Sequence, residues 1–254
     1  MRDTLEYIKA VMNETSLEAL WDMHVARMSD YGFDRLIYGY TNFRSGVSLG
    51  DVEDFFILSN HSREYLDKFL GEGMYFHTPM MEWTLNNSGA KSWQAVHDAY
   101  DAGLLSPEQI EVYRVNQSLN LTAGYTISFP AVSSRTKGAI SLGGRSGLTQ
   151  RDVDDIWAQH GGNIVLINNV AHLKIHSLPY TYPERELTKR QREVLEWVGD
   201  GKTIQDIATL IERTPATVEK HLRLARQAMN VETTAQALLK ASFMHQIYLP
   251  ESQS

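Results

Sequence analysis

Thr203–Asn230, TIQDIATLIERTPATVEKHLRLARQAMN, has the pattern of two helices joined by a tight turn. In the first, Ile204, Ile207, Ala208 and Ile211 are spaced to form one apolar stripe. The second has a marked start: Thr214 is a good N-cap, and Pro215 takes the first helical position, where its missing N–H costs nothing. From there Val218, Leu222, Ala225 and Met229 recur at helical spacing and face a core, which leaves Glu219, Lys220, Arg223 and Arg226 outward. A short helix, a turn of about three residues and a second helix with a basic outer face form the geometry that fits a helix into the major groove of DNA. The same pattern also describes a plain helical hairpin with a solvated charged face.

The flanks are helical as well. Helices are predicted over 188–198, 203–211, 214–229 and 233–244, and Thr188 with Gln191, like Thr233 with Gln236, has the spacing of a capping box. This makes 187–254 an all-α, four-helix domain. Ahead of it, SLPYTYPERE at 177–186 combines two prolines with a charge run and reads as an extended linker.

Residues 1–176 follow a different pattern. Helices are expected over 3–13 and 15–31, and in the latter Leu17, Leu20, Trp21, His24, Val25 and Met28 repeat at three and four. Short aromatic and β-branched runs at 35–41, 54–59, 125–132 and 137–142 read as strands. Further helices are expected at 62–69, at 106–120 behind the Ser106-Pro107-Glu108-Gln109 capping box, and from Thr149 to Leu173, where Gly161-Gly162 is the place for a kink. The fold class is therefore an α+β N-terminal domain, an α/β/α sandwich around an antiparallel sheet of four or five strands, followed by the helical domain. Between 74 and 93 the chain gathers Met74, Tyr75, Phe76, Met80, Met81, Trp83 and Trp93 around Pro79. Such a cluster is more often core than pocket, although a pocket for a small apolar molecule would be lined with the same residue types and a few polar groups.

Composition narrows the function classes. The chain of 254 residues has an ordinary soluble profile, no run that would span a membrane and no signal-type apolar stretch, so a cytoplasmic location is expected. It has no cysteine, which removes disulfides, thiol nucleophiles and Cys-based zinc sites. Net charge is −7, but residues 184–254 hold ten Lys/Arg against ten Asp/Glu, so the deficit lies entirely upstream. A neutral small domain with its cations gathered on one helix is compatible with phosphate contacts. The nine His are scattered without an HExxH pair, and there is no phosphate-binding Gly loop or GxSxG turn, so neither an enzyme nor a bound metal or cofactor is expected.

Residues 187–237 closely resemble the helix-turn-helix domain of LuxR-type transcription factors. The match runs through Leu187-Thr188, Arg190, Glu193, Leu195, Trp197, Gly201-Lys202-Thr203, Ile207-Ala208, Thr217-Val218, His221-Leu222, Val231 and Ala235-Gln236-Ala237, with Gln191 standing where the family usually has Glu. The resemblance implies double-stranded DNA with two-fold related half-sites as partner, bound by a homodimer. It also implies that Glu219, Lys220 and Arg223 face base edges while Lys202, Thr203, Thr217 and Arg226 contact phosphates. The apolar helix carrying Ala237, Leu238, Ala241 and Met244 is a candidate for the dimer contact or for packing within the domain.

Upstream, Trp93, Pro79, Gly124 and Lys137-Gly138-Ala139-Ile140-Ser141 resemble the autoinducer-binding domain of quorum-sensing regulators. That resemblance implies a small-molecule signal held by Tyr65, Thr78, Trp93, His61, Phe69 and Ser141. It also exposes departures. Tyr65 stands where acyl-homoserine-lactone receptors typically carry a Trp, and Thr78 where they carry an Asp that accepts from the ligand amide. A threonine hydroxyl still accepts a hydrogen bond, but without the charge that roughly doubles its strength. Three readings follow: an acyl-homoserine-lactone sensor, a sensor of another ligand in a solo regulator, or a ligand-independent module that pairs with a related regulator.

Overall fold

The computed structural model describes residues 2–45, 49–131, 133–178 and 185–248. The chain divides into two compact units, Met1–Ile175 and His176–Ser254.

The first unit is built on a five-stranded antiparallel sheet of order β2-β1-β5-β4-β3. Its strands are β1 (Phe33–Thr41), β2 (Phe56–Ser59), β3 (Gly89–Ser92), β4 (Gly124–Ser128) and β5 (Lys137–Gly144). Register sorts side chains into two faces, because successive residues of a strand point to opposite sides. Leu36, Leu142 and Tyr125 form one cross-strand row, and Tyr38, Ile140 and Ile127 the next. All six are buried. Helices α1 (Arg2–Asn13), α2 (Leu17–Asp30) and α7 (Gln150–Ile175) cover this face. The Tyr125 ring stacks on Trp157 of α7 at 3.8 Å, and Phe129 stacks on His172 at 4.0 Å. α7 runs as a single helix past Gly161, where a Cβ would collide with the Trp157 indole.

A polar chain pins these three helices together. The Tyr7 hydroxyl donates to His24 Nδ1 at 2.7 Å, His24 Nε2–H donates to Asn168 Oδ1 at 3.0 Å, and Asn168 Nδ2 donates to the Ile164 carbonyl at 2.8 Å. The chain needs a neutral imidazole, and burial supplies one by pushing the His24 pKa down to about 4.

The opposite face of the sheet carries the rows Ile37, Ser141, Thr126 and Gly39, Ala139, Ser128. It is covered by α3 (Arg63–Leu66), α4 (Pro79–Asn86), α5 (Gln94–Asp101) and α6 (Pro107–Ser118), which completes an α/β/α sandwich. The helix expected at 62–69 begins as α3 and widens into π-type turns over Asp67–Gly71. The strand expected from 54 starts at Phe56, after a 3-10 turn over Val52–Asp54.

The second unit consists of α8 (Lys189–Gly199), α9 (Ile204–Leu210), α10 (Pro215–Ala228) and α11 (Thr234–Phe243). Each start is built locally. Thr188, Thr203 and Thr233 close capping boxes with Gln191, Asp206 and Gln236, and Thr214 caps α10 ahead of Pro215. Val194, Leu195, Ile207, Ala208, Val218, Leu222, Ala225, Met229, Ala237 and Ala241 form the shared core. Buried Gln246 closes the unit: its Oε1 accepts from Leu187 N–H, and its Nε2 donates to the Arg185 carbonyl, both at 2.8 Å. The expected linker falls largely on 179–184, outside the described residues.

Candidate functional site

Between the open sheet face and helices α3 to α6 lies a two-lobed cavity. The first lobe has a volume of about 80 Å³, and Tyr65, Thr78, Trp93, His61, Phe69 and Ser141 all line it. The second, of about 100 Å³, lies under Tyr40, Leu49, Phe55, Ile57, Leu70, Tyr75 and Met81. The lobes share Ile37, Phe69, Thr78, Met80, Thr126 and Ser141. Neither is fully enclosed, and each exceeds the ~10–15 Å³ that one water needs.

The first lobe is the polar one. His61, Tyr65 and Phe69 lie on successive turns, and their rings stack in series, with centroids 4.3 Å and 5.2 Å apart. The π-type turns that follow Leu66 bring Phe69 into this stack, and such turns recur at functional sites. Across the cavity, Trp93 Nε1–H donates to Thr126 Oγ1 at 2.9 Å, and Thr126 Oγ1 meets Ser141 Oγ at 3.1 Å. The Trp93 ring packs so closely on Gly124 that a Cβ there would lie 2.8 Å from it, so the glycine is required by contact. Thr78 is the N-cap of α4, and its Oγ1 accepts from Met81 N–H at 3.0 Å. One of its two acceptor sites is thereby committed, while its O–H donor points to no protein partner among the described residues.

Several polar groups around this lobe lack partners. Tyr65 is only 6 % exposed, yet its hydroxyl makes no hydrogen bond with any described residue. Burial raises its pKa, so it remains a donor. Asn116 Oδ1 is a buried acceptor without a partner. Burial first, and the Arg35 charge second, push the His61 imidazole down to about 4, so it is neutral near pH 7. Arg35 itself donates to the carbonyls of Asn120, at 2.6 Å, and of Gly144, tying the end of α6 to the sheet. Among the described residues, no Asp or Glu lines either lobe.

In the second unit the predicted face is presented by α10. Val218, Leu222, Ala225 and Met229 are buried, while Glu219, Lys220 and Arg223 are exposed on the other side. Glu219 forms no ion pair with Lys220 or Arg223. Among the described residues, Arg223 reaches only Gln227, at 3.4 Å. Lys202 and Thr203 are exposed at the start of α9, where the Thr203 hydroxyl donates to Asp206 at 2.7 Å. Thr217 is partly buried, with its hydroxyl 3.0 Å from that of Thr214. Arg226 is engaged already: it donates to Thr234 Oγ1 at 2.9 Å and ties α10 to α11.

Residues 16–175 match the family model described as "Autoinducer binding domain", and residues 185–241 match "Bacterial regulatory proteins, luxR family". The chain belongs to the LuxR-type quorum-sensing regulators. One relative is the transcriptional activator protein LuxR of Aliivibrio fischeri, 22% identical over 92% of this chain and 89% of that protein. Among solved structures, Escherichia coli SdiA has the same fold, with a TM-score of 0.54 at 15% identity, covering 97% of this chain and 98% of that one. A second SdiA structure, a complex with octanoyl-rac-glycerol, gives a TM-score of 0.53 at 15% identity over 97% and 96% of the two chains.

As a LuxR-type regulator the chain is a DNA-binding transcriptional regulator with a signal-sensing domain. No described helix is long and apolar enough to cross a membrane. The cavity is also lined by residues that sequence reasoning did not assign to a ligand, namely Arg35, Asn116, Thr126 and Lys137. For Thr126, the strand periodicity at 125–132 carried the signal, since it places Thr126 on the face of Ser141. Asn116 and Arg35 had none, because their role arises from the packing of α6 on the sheet.

Proposed function

We propose that residues 1–176 sense an amphipathic small molecule and that residues 187–254, joined through 177–186, pass the result to DNA as part of a homodimer. The signal's polar head lies in the first lobe, against Tyr65, Thr78, His61, Trp93 and Ser141, with Phe69 stacked beside it; its tail fills the second lobe. One observation carries this reading: Tyr65, nearly buried and lining the first lobe, has a hydroxyl with no protein partner among the described residues, and Asn116, which lines the same lobe, has a buried Oδ1 without one, whereas a closed core satisfies its polar groups. The similar fold of SdiA holds octanoyl-rac-glycerol, an acyl chain on a polar head, which is the ligand shape this cavity suits. With one Thr78 acceptor site held by Met81 and no carboxylate lining the lobe among the described residues, the head offers acceptors to the Tyr65 and Thr78 hydroxyls.

On DNA, Glu219, Lys220 and Arg223 meet base edges, and Lys202, Thr203, Thr217 and Arg226 meet phosphates. The dimer forms along an exposed apolar stripe, Leu5 and Met12 on α1 with Leu166 and Leu173 on α7, residues seven apart on each helix. The protein acts inside the cell, where its operator lies, and performs no catalysis.

A thermal-stability screen of the full chain against acyl-homoserine lactones and acyl glycerols tests the sensing. A tight ligand adds about 2.7 kcal/mol at 100-fold excess over its Kd. Absence of any shift across the screen, together with unaltered operator binding, overturns the sensing reading in favour of a ligand-independent module. For the DNA face, Arg223→Ala is expected to cost about 1–3 kcal/mol of operator affinity and to relax base preference. Unchanged strength and preference contradict the assigned face.

A further inference from the structure

The second lobe is mostly apolar, and the one charged side chain that lines it among the described residues is Lys137. Lys137 opens β5 opposite Thr41 of β1, and strand alternation puts it on the same face as Ala139 and Ser141, which also line the lobe. The residue is only 8 % exposed. Its Nζ donates to the Asn87 carbonyl at the end of α4, at 2.9 Å, and Ser128 Oγ donates to the same oxygen at 2.7 Å. An ammonium has three donors, and this contact uses one. No carboxylate pairs with Lys137 among the described residues, and none lines either lobe. Arg44 adds a second positive charge nearby. A buried cation without a counter-charge is costly, and an anion delivered to it offsets that cost.

We propose that Lys137 is the anion-binding end of the tail lobe, so that the signal is a linear amphiphile with a carboxylate at the end remote from its polar head. This rests on the sensing reading above. Ser141 in the polar lobe and Lys137 are four residues apart along β5, about 13 Å at ~3.3 Å per residue. An extended chain of about ten carbons spans that distance, its head against Tyr65 and Thr78 and its carboxylate against Nζ. Burial and the neighbouring Arg44 charge both lower the Lys137 pKa, and a bound carboxylate reverses that pressure by favouring the charged amine.

Calorimetry on the purified full chain, with sebacic acid monoamide and its methyl-ended counterpart decanamide, tests the proposal. The wild type is expected to bind the carboxylate-ended chain at least about tenfold more tightly. Lys137→Met is expected to abolish or invert that preference while still binding decanamide, and Lys137→Arg to keep it. Equal binding of both chains by the wild type overturns the proposal and leaves the sensing pocket standing. So does an equal loss for both chains in Lys137→Met, which reduces the lysine to a support for the end of α4. If the wild type binds neither chain, the anion site falls, and the sensing reading then stands or falls with the lactone and acyl-glycerol screen.

Discussion

The helix starts of the second unit and the cavity of the first satisfy their polar groups differently. In the helical unit each helix start is answered by a side chain three residues away: Thr188 with Gln191, Thr203 with Asp206, Thr214 with Thr217 N–H, Thr233 with Gln236. In the sensor, partners lie far apart along the chain, as in Tyr7, His24 and Asn168, or Trp93, Thr126 and Ser141. Around its cavity some polar groups have no protein partner. Helices fixed by their own caps present a fixed surface, which suits reading a rigid duplex. A unit with open polar groups has a free energy that a ligand can lower, which suits sensing.

The largest test of that contrast removes core volume from the helical unit. Leu222, 4 % exposed at the centre of α10, has its side chain shared by the helices around it. Leu222→Ala is expected to cost about 2–5 kcal/mol, which a unit of this size tolerates poorly. Scanning calorimetry is expected to show loss of the C-terminal transition with the sensor transition retained. A single transition shifted as a whole contradicts independent units.

Acid probes the long-range polar chain of the sensor. His24 titrates near 4 when folded, against about 6.5 in an unfolded chain, so the unfolded state takes up the proton first. The stability that neutral His24 contributes is therefore complete above about pH 6.5 and is lost as pH falls toward 4, in all about 3 kcal/mol. His24→Gln, which does not titrate in this window, is expected to flatten the pH dependence of denaturant unfolding by that amount. An identical slope in wild type and variant contradicts the assignment.

Local satisfaction is tested by a smaller change. Thr214→Ala leaves an orphan N–H at the start of α10 and is expected to cost about 1 kcal/mol. Operator affinity should fall no further than that loss of folded population requires. A much larger drop in binding, at temperatures where the variant is fully folded, shows that the cap contacts DNA itself.

The same contrast governs what the sequence reveals. Caps and helical spacing are local signals, so the four C-terminal helices and the buried stripe of α10 were legible residue by residue. In the sensor, β1, β4 and β5 showed through their apolar alternation, and the resemblance to autoinducer-binding domains pointed to six residues that line one lobe. β3 was not legible: Gly-Ala-Lys-Ser has no β pattern, and it is a strand because β4 lies beside it. The cluster at 74–93 proved to be divided, with Tyr75 buried, Phe76 exposed, and Met80 and Trp93 lining the first lobe. Lys137 entered only as the first residue of the Lys137–Ser141 run, and no local signal showed its burial under α4, which is set by a contact fifty residues away.

Tyr65→Phe bears most directly on the claim that the cavity's open polar groups exist for a ligand. With no protein partner for the hydroxyl, its removal is expected to leave the ligand-free melting temperature unchanged or slightly raised. The affinity for whichever amphiphile stabilises the wild type should fall by about tenfold. A variant that is less stable without ligand, yet binds that amphiphile as tightly as the wild type does, would show that Tyr65 holds the fold and not the signal.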